Sequence, residues 1–281
     1  MKKVLPSPEG YARIHTLVHK HRLHTVCREA ACPNQWECGA MNTATFLILG
    51  PHCTRGCRFC NIIRKAPAPP DPEEPERVAQ AAKDMGLSYV VVTSVTRDDL
   101  PDGGASMFSE IISALRLKIP GVRVEVLIPD FRGNPDSLET VVAARPDVMN
   151  HNVETVPRLY PAVRPEADYR RSIDVLRRIA MLDPRIATKS GMMLGMSEKK
   201  DETERVILEL ADAGCSLFTA GQYLAPSTSH LPVFRYVHPA EFASWQAFAI
   251  EAGFAAAAAG PFVRSSYQAE KMFLSARFDL A

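Results

Sequence analysis

Apolar runs rich in β-branched residues alternate with helical patterns along the middle of the chain. The runs predict strands at residues 43–50, 88–94, 122–128, 147–152, 186–194 and 216–221. The segments between them predict helices near residues 74–86, 104–118, 135–144, 168–182 and 200–213. Near-continuous apolar strands separated by helices are typical of βαβ units, in which a parallel sheet is buried on both faces.

Six such units favour an α/β fold built as an open barrel. A closed barrel of this type needs eight units, so we predict a partial (β/α)6 barrel over residues 43–221. A doubly wound open sheet is the competing architecture. In either fold the functional residues gather at the carboxyl ends of the strands. Residues 1–42 and 222–281 are expected to be extensions that fold over the barrel mouth, so that the chain forms one compact unit.

The composition is that of a globular protein, and the net charge argues against a nucleic-acid partner. Apolar residues make up 46% of the chain and the formal net charge is +1, so no basic surface indicates a nucleic-acid partner. The sequence holds no apolar run of the roughly 20 residues that a membrane span needs, and its first residues lack the apolar core of a secretory signal. We expect a cytoplasmic protein.

The cysteines are clustered, with six of the seven between Cys27 and Cys60, and in a reducing compartment such a cluster points to bound metal. Cys53, Cys57 and Cys60 are spaced C-x3-C-x2-C directly after the first predicted strand. Thiolates at this spacing bind zinc or an iron–sulfur cluster. A structural zinc site usually closes with four ligands, whereas three thiolates on a four-iron cluster leave one iron open to a small molecule.

Three cysteines in a loop after the first strand of a partial barrel resemble the radical S-adenosylmethionine (SAM) superfamily, and a structural zinc site is the alternative. The resemblance implies that the open iron takes the amino and carboxylate groups of SAM. The reduced cluster then cleaves SAM to methionine and a 5′-deoxyadenosyl radical. It also implies that Phe59 lies by the adenine, and the stretch that carries Gly191, Gly195 and Glu198 is similar to the superfamily's element beside the adenine.

Further SAM contacts are expected from polar residues at the strand ends. Asn152 and Glu154 would reach the ribose or the methionine end of SAM, and Lys189 would face a carboxylate. Ordinary strand-end hydrogen bonding is the alternative for each of them. The Arg-Asp-Asp stretch at residues 97–99 follows the second strand, where the superfamily contacts the SAM amino group. A role of this stretch in SAM binding or in ordering its own loop is a hypothesis.

A second cysteine triad precedes the first. Cys27, Cys32 and Cys38 are spaced C-x4-C-x5-C. Three unrelated buried cysteines are the alternative to a second cluster, because free cysteine is among the most buried residue types. The two spacings, together with the RSSY sequence at residues 264–267, resemble the lipoyl synthase family, and the resemblance covers about residues 24–267.

This resemblance implies a role for each triad. The first triad holds the cluster that cleaves SAM. The second holds three irons of an auxiliary [4Fe–4S] cluster, and Ser266 of RSSY binds the fourth iron. A serine oxygen is a harder ligand than thiolate and matches iron less well, so it would leave more readily when the cluster gives up its sulfide. The family inserts two sulfur atoms at C6 and C8 of an octanoyl chain carried on a lysine of another protein, with the auxiliary cluster as sulfur donor.

The same resemblance implies the partners. They are octanoylated lipoyl carrier domains (dehydrogenase E2 subunits and the glycine cleavage H protein), a ferredoxin or flavodoxin-type electron donor and cluster-assembly proteins, and we expect a monomer. Four arginines would face an acidic carrier surface or, taken one by one, would be solvated helix charges: Arg158, Arg164, Arg170 and Arg171. Two other functions stay open. One is a methylthiotransferase that acts on RNA or protein, and the other is a non-catalytic interaction protein stabilised by zinc.

Overall fold

The structure is a computed structural model that describes residues 8–41 and 43–276. Its strands within these residues are β1 (His24–Thr25), β2 (Thr45–Ile48), β3 (His52–Cys53), β4 (Ile63–Arg64), β5 (Tyr89–Ser94), β6 (Arg123–Leu127), β7 (Val148–Asn150), β8 (Ala187–Leu194), β9 (Leu217–Gln222) and β10 (Ala256–Gly260). Its helices are α1 (Pro8–Lys20), α2 (Val26–Glu29), α3 (Gln35–Ala40), α4 (Glu74–Met85), α5 (Ala105–Lys118), α6 (Pro135–Ala143), α7 (Tyr160–Val163), α8 (Tyr169–Leu182), α9 (Lys200–Asp212), α10 (Pro239–Glu251) and α11 (Ala269–Ser275).

Eight of the strands form one sheet in the order β1-β2-β5-β6-β7-β8-β9-β10, and β3 and β4 form a small second sheet. From β2 to β10 every neighbouring pair in the large sheet is parallel, while β1 pairs antiparallel with β2. The strand order never reverses, which excludes the doubly wound alternative. Over the described residues the sheet ends at β1 on one side and β10 on the other, so the barrel is open, as predicted.

All six predicted strands and all five predicted helices are present, but the sheet also has a strand that the sequence did not reveal. The stretch Ala256–Gly260 is β10, which runs parallel to β9 with Ala256 opposite Leu217 and Gly260 opposite Gly221. Alanine and glycine are depleted in strands, so this stretch has no strand propensity of its own. It is a strand because β9 offers an otherwise unpaired edge.

Local signals fix several of the helix ends. Asn134 caps α6 by accepting from the Asp136 and Ser137 amides, and Pro135 follows at the first helical position. Asp168 caps α8 by accepting from the Arg171 amide. These caps fix the residues at which the two helices begin. No helix in the described parts of the chain has the length and apolar character of a membrane span.

The amino end of the barrel is closed by α11. Met272 and Phe273 of this helix belong to one apolar cluster with Tyr89, Val148 and Leu217, which stand at the starts of three strands. The rings of Tyr89 and Phe273 lie 6.0 Å apart. In barrels of this type the substrate enters at the carboxyl ends of the strands. The helix α11 closes the other end.

Both extensions also reach the mouth, as predicted. Asn61, just past the first cysteine triad, donates to the carbonyl of Glu29 in the amino-terminal extension (2.8 Å). From the carboxyl-terminal side, Leu231 donates its amide to the carbonyl of Arg58 (3.0 Å), and the Nε2 atom of His230 lies 3.1 Å from the carbonyl of Cys60. The first triad therefore lies between the two extensions. The unit boundaries at residues 42 and 221 stay predictions.

Candidate active site

The first cysteine triad lies at the carboxyl end of the barrel, in the loop that follows β2. Cys53 ends β3, and the Cys60 amide donates to the Cys57 carbonyl (3.1 Å), so the last four residues form a tight turn. The Arg55 amide lies 3.4 Å from the Cys53 sulfur. All three thiols are partly buried. The loop thus brings the three thiols close enough to interact electrostatically.

Burial disfavours the charged thiolate form of two cysteines in this loop. Burial, together with the neighbouring thiols, raises the pKa of Cys57 to about 11 and that of Cys60 to about 12. A bound metal would supply the positive charge that lets these two thiols ionise. No three His, Cys, Asp or Glu side chains in the described residues are arranged around a single metal ion. What Cys53, Cys57 and Cys60 bind stays the prediction made from their spacing.

Polar groups from the end of β7 face the same space. Asn152 donates from Nδ2 to the hydroxyl of Ser265 (2.7 Å), and its Oδ1 atom is buried without a hydrogen-bond partner in the described structure. Glu154 adopts a left-handed backbone (φ +66°), and burial raises the pKa of its carboxyl. The Glu154 backbone pairs with β8 through the Gly191 carbonyl (3.1 Å) and the Met193 amide (2.8 Å). An orphaned buried acceptor beside a cysteine loop is what a polar cofactor would satisfy.

Gly191 and Gly195 leave room for backbone and side chains that cross this region. A Cβ on Gly191 would lie 2.3 Å from Thr219 Oγ1, and one on Gly195 would lie 2.4 Å from the Arg235 carbonyl. Glu198 accepts from the amides of Gly195 (2.7 Å) and Met196 (2.8 Å), so it orders the turn after β8. Phe59 packs against the apolar core formed by β8, β9, α8 and α9.

Lys189 lies deeper than the other predicted SAM contacts. It is the third residue of β8, and its ammonium donates to Glu125 Oε1 (2.8 Å), with both side chains almost fully buried. Tyr89 donates to the other oxygen of the same carboxylate (2.7 Å). A buried charge pairs with its nearest opposite charge, so these contacts favour a structural role in the amino half of the barrel. They do not favour the predicted contact between Lys189 and SAM.

The Arg-Asp-Asp stretch at residues 97–99 is committed to contacts within the protein. Arg97 is 1% exposed and donates to Asp99 and to the Leu49 carbonyl. Both oxygens of Asp98 accept from Arg55 (2.7 and 2.8 Å). Of the two hypotheses for this stretch, the contacts favour loop ordering.

Arg164 corrects the prediction made for the four arginines. It is 9% exposed, so it is neither a carrier-facing nor a solvated charge, and it donates to the Asn152 carbonyl (2.9 Å). Its Nε atom finds no partner in the described structure. Arg158 pairs with Glu202, Arg171 pairs with Asp130, and Arg170 remains exposed. This burial could not be predicted from the sequence, because Arg164 follows a helix of only four residues, too short to show a buried face.

The second triad lies on the amino-terminal extension. Cys27 is in α2 and Cys38 in α3, and the Cys32 amide donates to the Cys27 carbonyl (3.1 Å). Two hydrogen bonds tie this region to the far end of the chain: Asn34 Nδ2 donates to the Phe262 carbonyl and Tyr267 OH donates to Glu37 Oε1, each at 2.6 Å.

The RSSY sequence therefore runs between two anchored points against the second triad. Small residues in the barrel wall make space for it: a Cβ on Gly221 would lie 2.2 Å from the Val263 carbonyl. Arg264 lies within electrostatic range of Cys32 and Glu154, and burial lowers the pKa of its guanidinium. Ser265 contacts Asn152 from the other direction. The segment thus lies between the two triads.

Comparisons with known proteins identify the family. A sequence profile of the Radical SAM superfamily matches residues 47–211. A lipoyl synthase of Desulfotalea psychrophila is 51% identical over 276 residues, which cover 98% of this chain and 92% of the relative. A lipoyl synthase of Caldanaerobacter subterraneus is 53% identical over 268 residues, 95% of this chain and 94% of the relative. The chain belongs to the lipoyl synthase family.

Membership of the lipoyl synthase family confirms the predicted activity and cofactors. The chain is a radical SAM enzyme that inserts sulfur to form a protein-bound lipoyl group, with SAM and [4Fe–4S] clusters as cofactors. The methylthiotransferase and the zinc-stabilised interaction protein are thereby set aside.

Solved structures support the fold at much lower identity. Streptococcus suis SuiB bound to S-adenosylmethionine aligns with a TM-score of 0.58 at 11% identity, over 78% of this chain and 50% of that one. HydG, a maturase of the [FeFe]-hydrogenase, aligns with a TM-score of 0.55 at 16% identity, over 96% and 67%. These similarities confirm the open barrel that was predicted for this chain.

Proposed function

We propose that each cysteine triad of this lipoyl synthase family member holds one [4Fe–4S] cluster. Cys53, Cys57 and Cys60 would bind the cluster whose open iron chelates SAM. Cys27, Cys32, Cys38 and Ser266 would bind the auxiliary cluster that is consumed as sulfur donor. One observation carries the proposal: the segment that contains Ser266 is hydrogen-bonded at both ends to the second triad's helix and its cap residue.

The site residues bind and orient the cofactors, while the cofactors supply the reactivity. When bound, the first cluster and SAM provide a radical that removes hydrogen from unactivated carbon, which no side chain can do. Asn152, with its orphaned Oδ1, and Glu154 would hold the polar end of SAM, and Phe59 and Gly195 would flank its adenine. Ser265 links Asn152 to the segment that carries Ser266, so both cofactor sites share one set of contacts.

Exclusion of water is the other task of the fold. The interior is closed at its amino end by Met272 and Phe273, and the apolar strand starts face it. A dry, fixed chamber holds reacting groups in position and prevents side reactions. The hydrocarbon tail of an octanoyl group is apolar, so the tail would enter such a chamber without losing hydrogen bonds to water.

The substrate class follows from the family, and its finer details are part of this proposal. The octanoyl chain is carried by the lipoyl domain of another protein, and the proposed carriers are dehydrogenase E2 subunits and the glycine cleavage H protein. We further propose a ferredoxin or flavodoxin-type electron donor, cluster-assembly proteins that restore the auxiliary cluster, a cytoplasmic location and a monomeric enzyme.

The test is a count of iron and sulfide after anaerobic purification of the wild type and of two triple variants. Wild type should hold about eight iron and eight sulfide, as two four-iron clusters require. The Cys27→Ala/Cys32→Ala/Cys38→Ala variant should lose about half of both, keep SAM cleavage and form no lipoyl product. The Cys53→Ala/Cys57→Ala/Cys60→Ala variant should lose SAM cleavage instead. Four iron in the wild type, or bound zinc, would contradict the proposal.

A further inference from the structure

The loop between Cys53 and Cys57 carries a buried arginine that the activity does not explain. Arg55 is 5% exposed, and each of its three guanidinium nitrogens donates to a carboxylate. Nε and Nη2 donate to Asp98 at 2.7 and 2.8 Å. Nη1 and Nη2 donate to Asp130 at 3.0 and 2.7 Å. We call these three side chains the clamp.

The clamp joins the cysteine loop to the ends of the next two strands of the barrel. Asp98 lies in the loop after β5, and Asp130 lies in the loop after β6. The backbones of the first two loops are also joined, because the Thr54 amide donates to the Thr96 carbonyl (3.1 Å) and the Asp98 amide donates to the Thr54 hydroxyl (3.1 Å). The cysteine loop is thus fixed against the carboxyl edge of the sheet.

Both carboxylates are themselves held in place. The Asp130 side chain is fully buried, and it also accepts from the Arg132 amide (3.1 Å) and from Arg171 (3.2 Å). Hydrogen bonding to Arg55 keeps the pKa of Asp130 well below its usual range against the opposing effect of burial. Asp98 also lies 3.2 Å from Arg132. Arg55 therefore binds two carboxylates that other contacts already hold in place.

The position of the clamp relative to the thiols decides what it can do. Arg55 stands two residues from each of Cys53 and Cys57, so a shift of its backbone moves both thiols. Buried charges of this kind cost free energy to desolvate, and a nonpolar core of the same shape would often be as stable. Stability alone is therefore a weak reason for such a network at this point in the fold.

We propose that Arg55 is a positioning residue, and that the clamp it forms with Asp98 and Asp130 holds the Cys53–Cys60 loop in its cluster-binding shape before iron arrives. The proposal rests on the cluster-binding role proposed above for this triad. A guanidinium is needed because its planar fork serves two carboxylates at once, whereas a lysine ammonium is a single point charge on a flexible stem. Charge alone does not suffice.

The first test uses the protein without iron, so it is independent of activity. Amide hydrogen exchange is measured at Thr54, Gly56 and Arg58, which donate to the Thr96 carbonyl, the Glu166 carboxylate and the Val163 carbonyl. Wild type should protect all three. Arg55→Lys should exchange there about 10- to 100-fold faster, the range expected when charge-assisted hydrogen bonds are lost.

A matched control separates the clamp from arginine replacement in general. Arg185 forms a bidentate pair with Asp183 after α8, outside the proposed site. Arg185→Lys should leave exchange in the cysteine loop unchanged. If Arg55→Lys does not fold, Asp98→Asn removes one arm of the clamp and serves as the second variant. Equal protection in wild type and in the clamp variant would overturn the proposal.

The second test asks whether the cluster senses the clamp. In reconstituted Arg55→Lys, iron loss to a chelator should be about 10- to 100-fold faster, as for outer contacts of other metal sites. The electron paramagnetic resonance spectrum of the reduced cluster with SAM should change, while the auxiliary cluster keeps its iron. An unchanged spectrum and unchanged iron loss would overturn the proposal. If wild type binds no iron at Cys53, Cys57 and Cys60, the proposed function fails, and the exchange result still shows whether the loop is preformed.

Discussion

The two cysteine triads belong to one chain, yet they are supported in different ways. The first occupies a single loop, and buried ion pairs bind that loop to the ends of β5 and β6. The second is spread over α2 and α3, which are four and six residues long. Two of its supporting hydrogen bonds reach the opposite end of the chain, made by Asn34 and Tyr267.

This difference suits the role proposed for each triad. Charge-assisted bonds in a buried setting are strong and directional, so they hold the first loop in one shape. Short helices have little stability of their own, and single hydrogen bonds between two extensions contribute about 1 kcal/mol each. The second site is thus easier to open. A cluster that is consumed and rebuilt needs a site of that kind, whereas a cluster that is reused does not.

The largest expected effect comes from Ser266, which tests whether the second site depends on its oxygen ligand. Ser266→Ala should lower lipoyl formation by more than the roughly 100-fold that loss of an outer contact costs at a metal site, while SAM cleavage persists. Product and 5′-deoxyadenosine are quantified by mass spectrometry. Ser265→Ala is the matched control, because it removes only the acceptor of Asn152 and should affect SAM affinity more than product yield. Equal loss of both products in Ser266→Ala would contradict the division between the triads.

The next effect is the pH dependence of protein stability that the buried His151 should cause. His151 lies between the Ile128 carbonyl and the Ser172 hydroxyl, and burial, with the charge of Arg164, lowers its pKa to about 4. Between pH 6.5 and 4 the unfolded chain binds a proton here and the folded one does not. The free energy of unfolding should therefore fall by about 3 kcal/mol as the pH drops through this window.

Denaturant unfolding of the iron-free protein at a series of pH values measures this loss. His151→Gln keeps a hydrogen-bonding side chain without a titrating ring, so it should show a shallower dependence. The same slope in wild type and variant would exclude His151 as the group responsible.

A smaller effect is expected from filling the space beside Gly221 that the backbone before RSSY occupies. Gly221→Ala would place a Cβ 2.2 Å from the Val263 carbonyl, and backbone cannot yield as a side chain can. Overpacking of this kind costs about 1–3 kcal/mol, and the RSSY segment should be displaced. Iron content should then fall toward that of one cluster with SAM cleavage retained. Gly260→Ala, opposite Gly221 on β10, meets only a Val263 methyl at 3.3 Å and should have little effect. If both variants keep full iron, the segment does not depend on this space.

The repeating part of the fold was readable from sequence, because buried parallel strands are continuous apolar runs. Val90, Val92, Val124 and Val126 are fully buried, and so they mark their strands without ambiguity. The strand β10 was not readable, since its alanines carry no strand signal and form a strand only through pairing with β9.

The site was readable only where its residues are close in sequence. Cysteine spacing revealed both triads, but the clamp joins residues 43 and 75 positions apart, and nothing in the sequence around Asp98 or Asp130 indicates Arg55. Ser266 was found through family resemblance alone, because a serine in a polar turn has many ordinary roles. Lys189 was expected to face SAM, and its partner Glu125 lies 64 positions away.

The hydrogen bonds that support the second triad also set an order of events in the cell. They join residues 228 and 230 positions apart, whereas the clamp is complete once residue 130 has been made. At typical rates of synthesis, the second triad waits roughly 10 to 45 s on the ribosome for its support to be translated. Under the proposed assignment, the two sites would mature at different times, and the sulfur-donating cluster would be delivered to the finished chain.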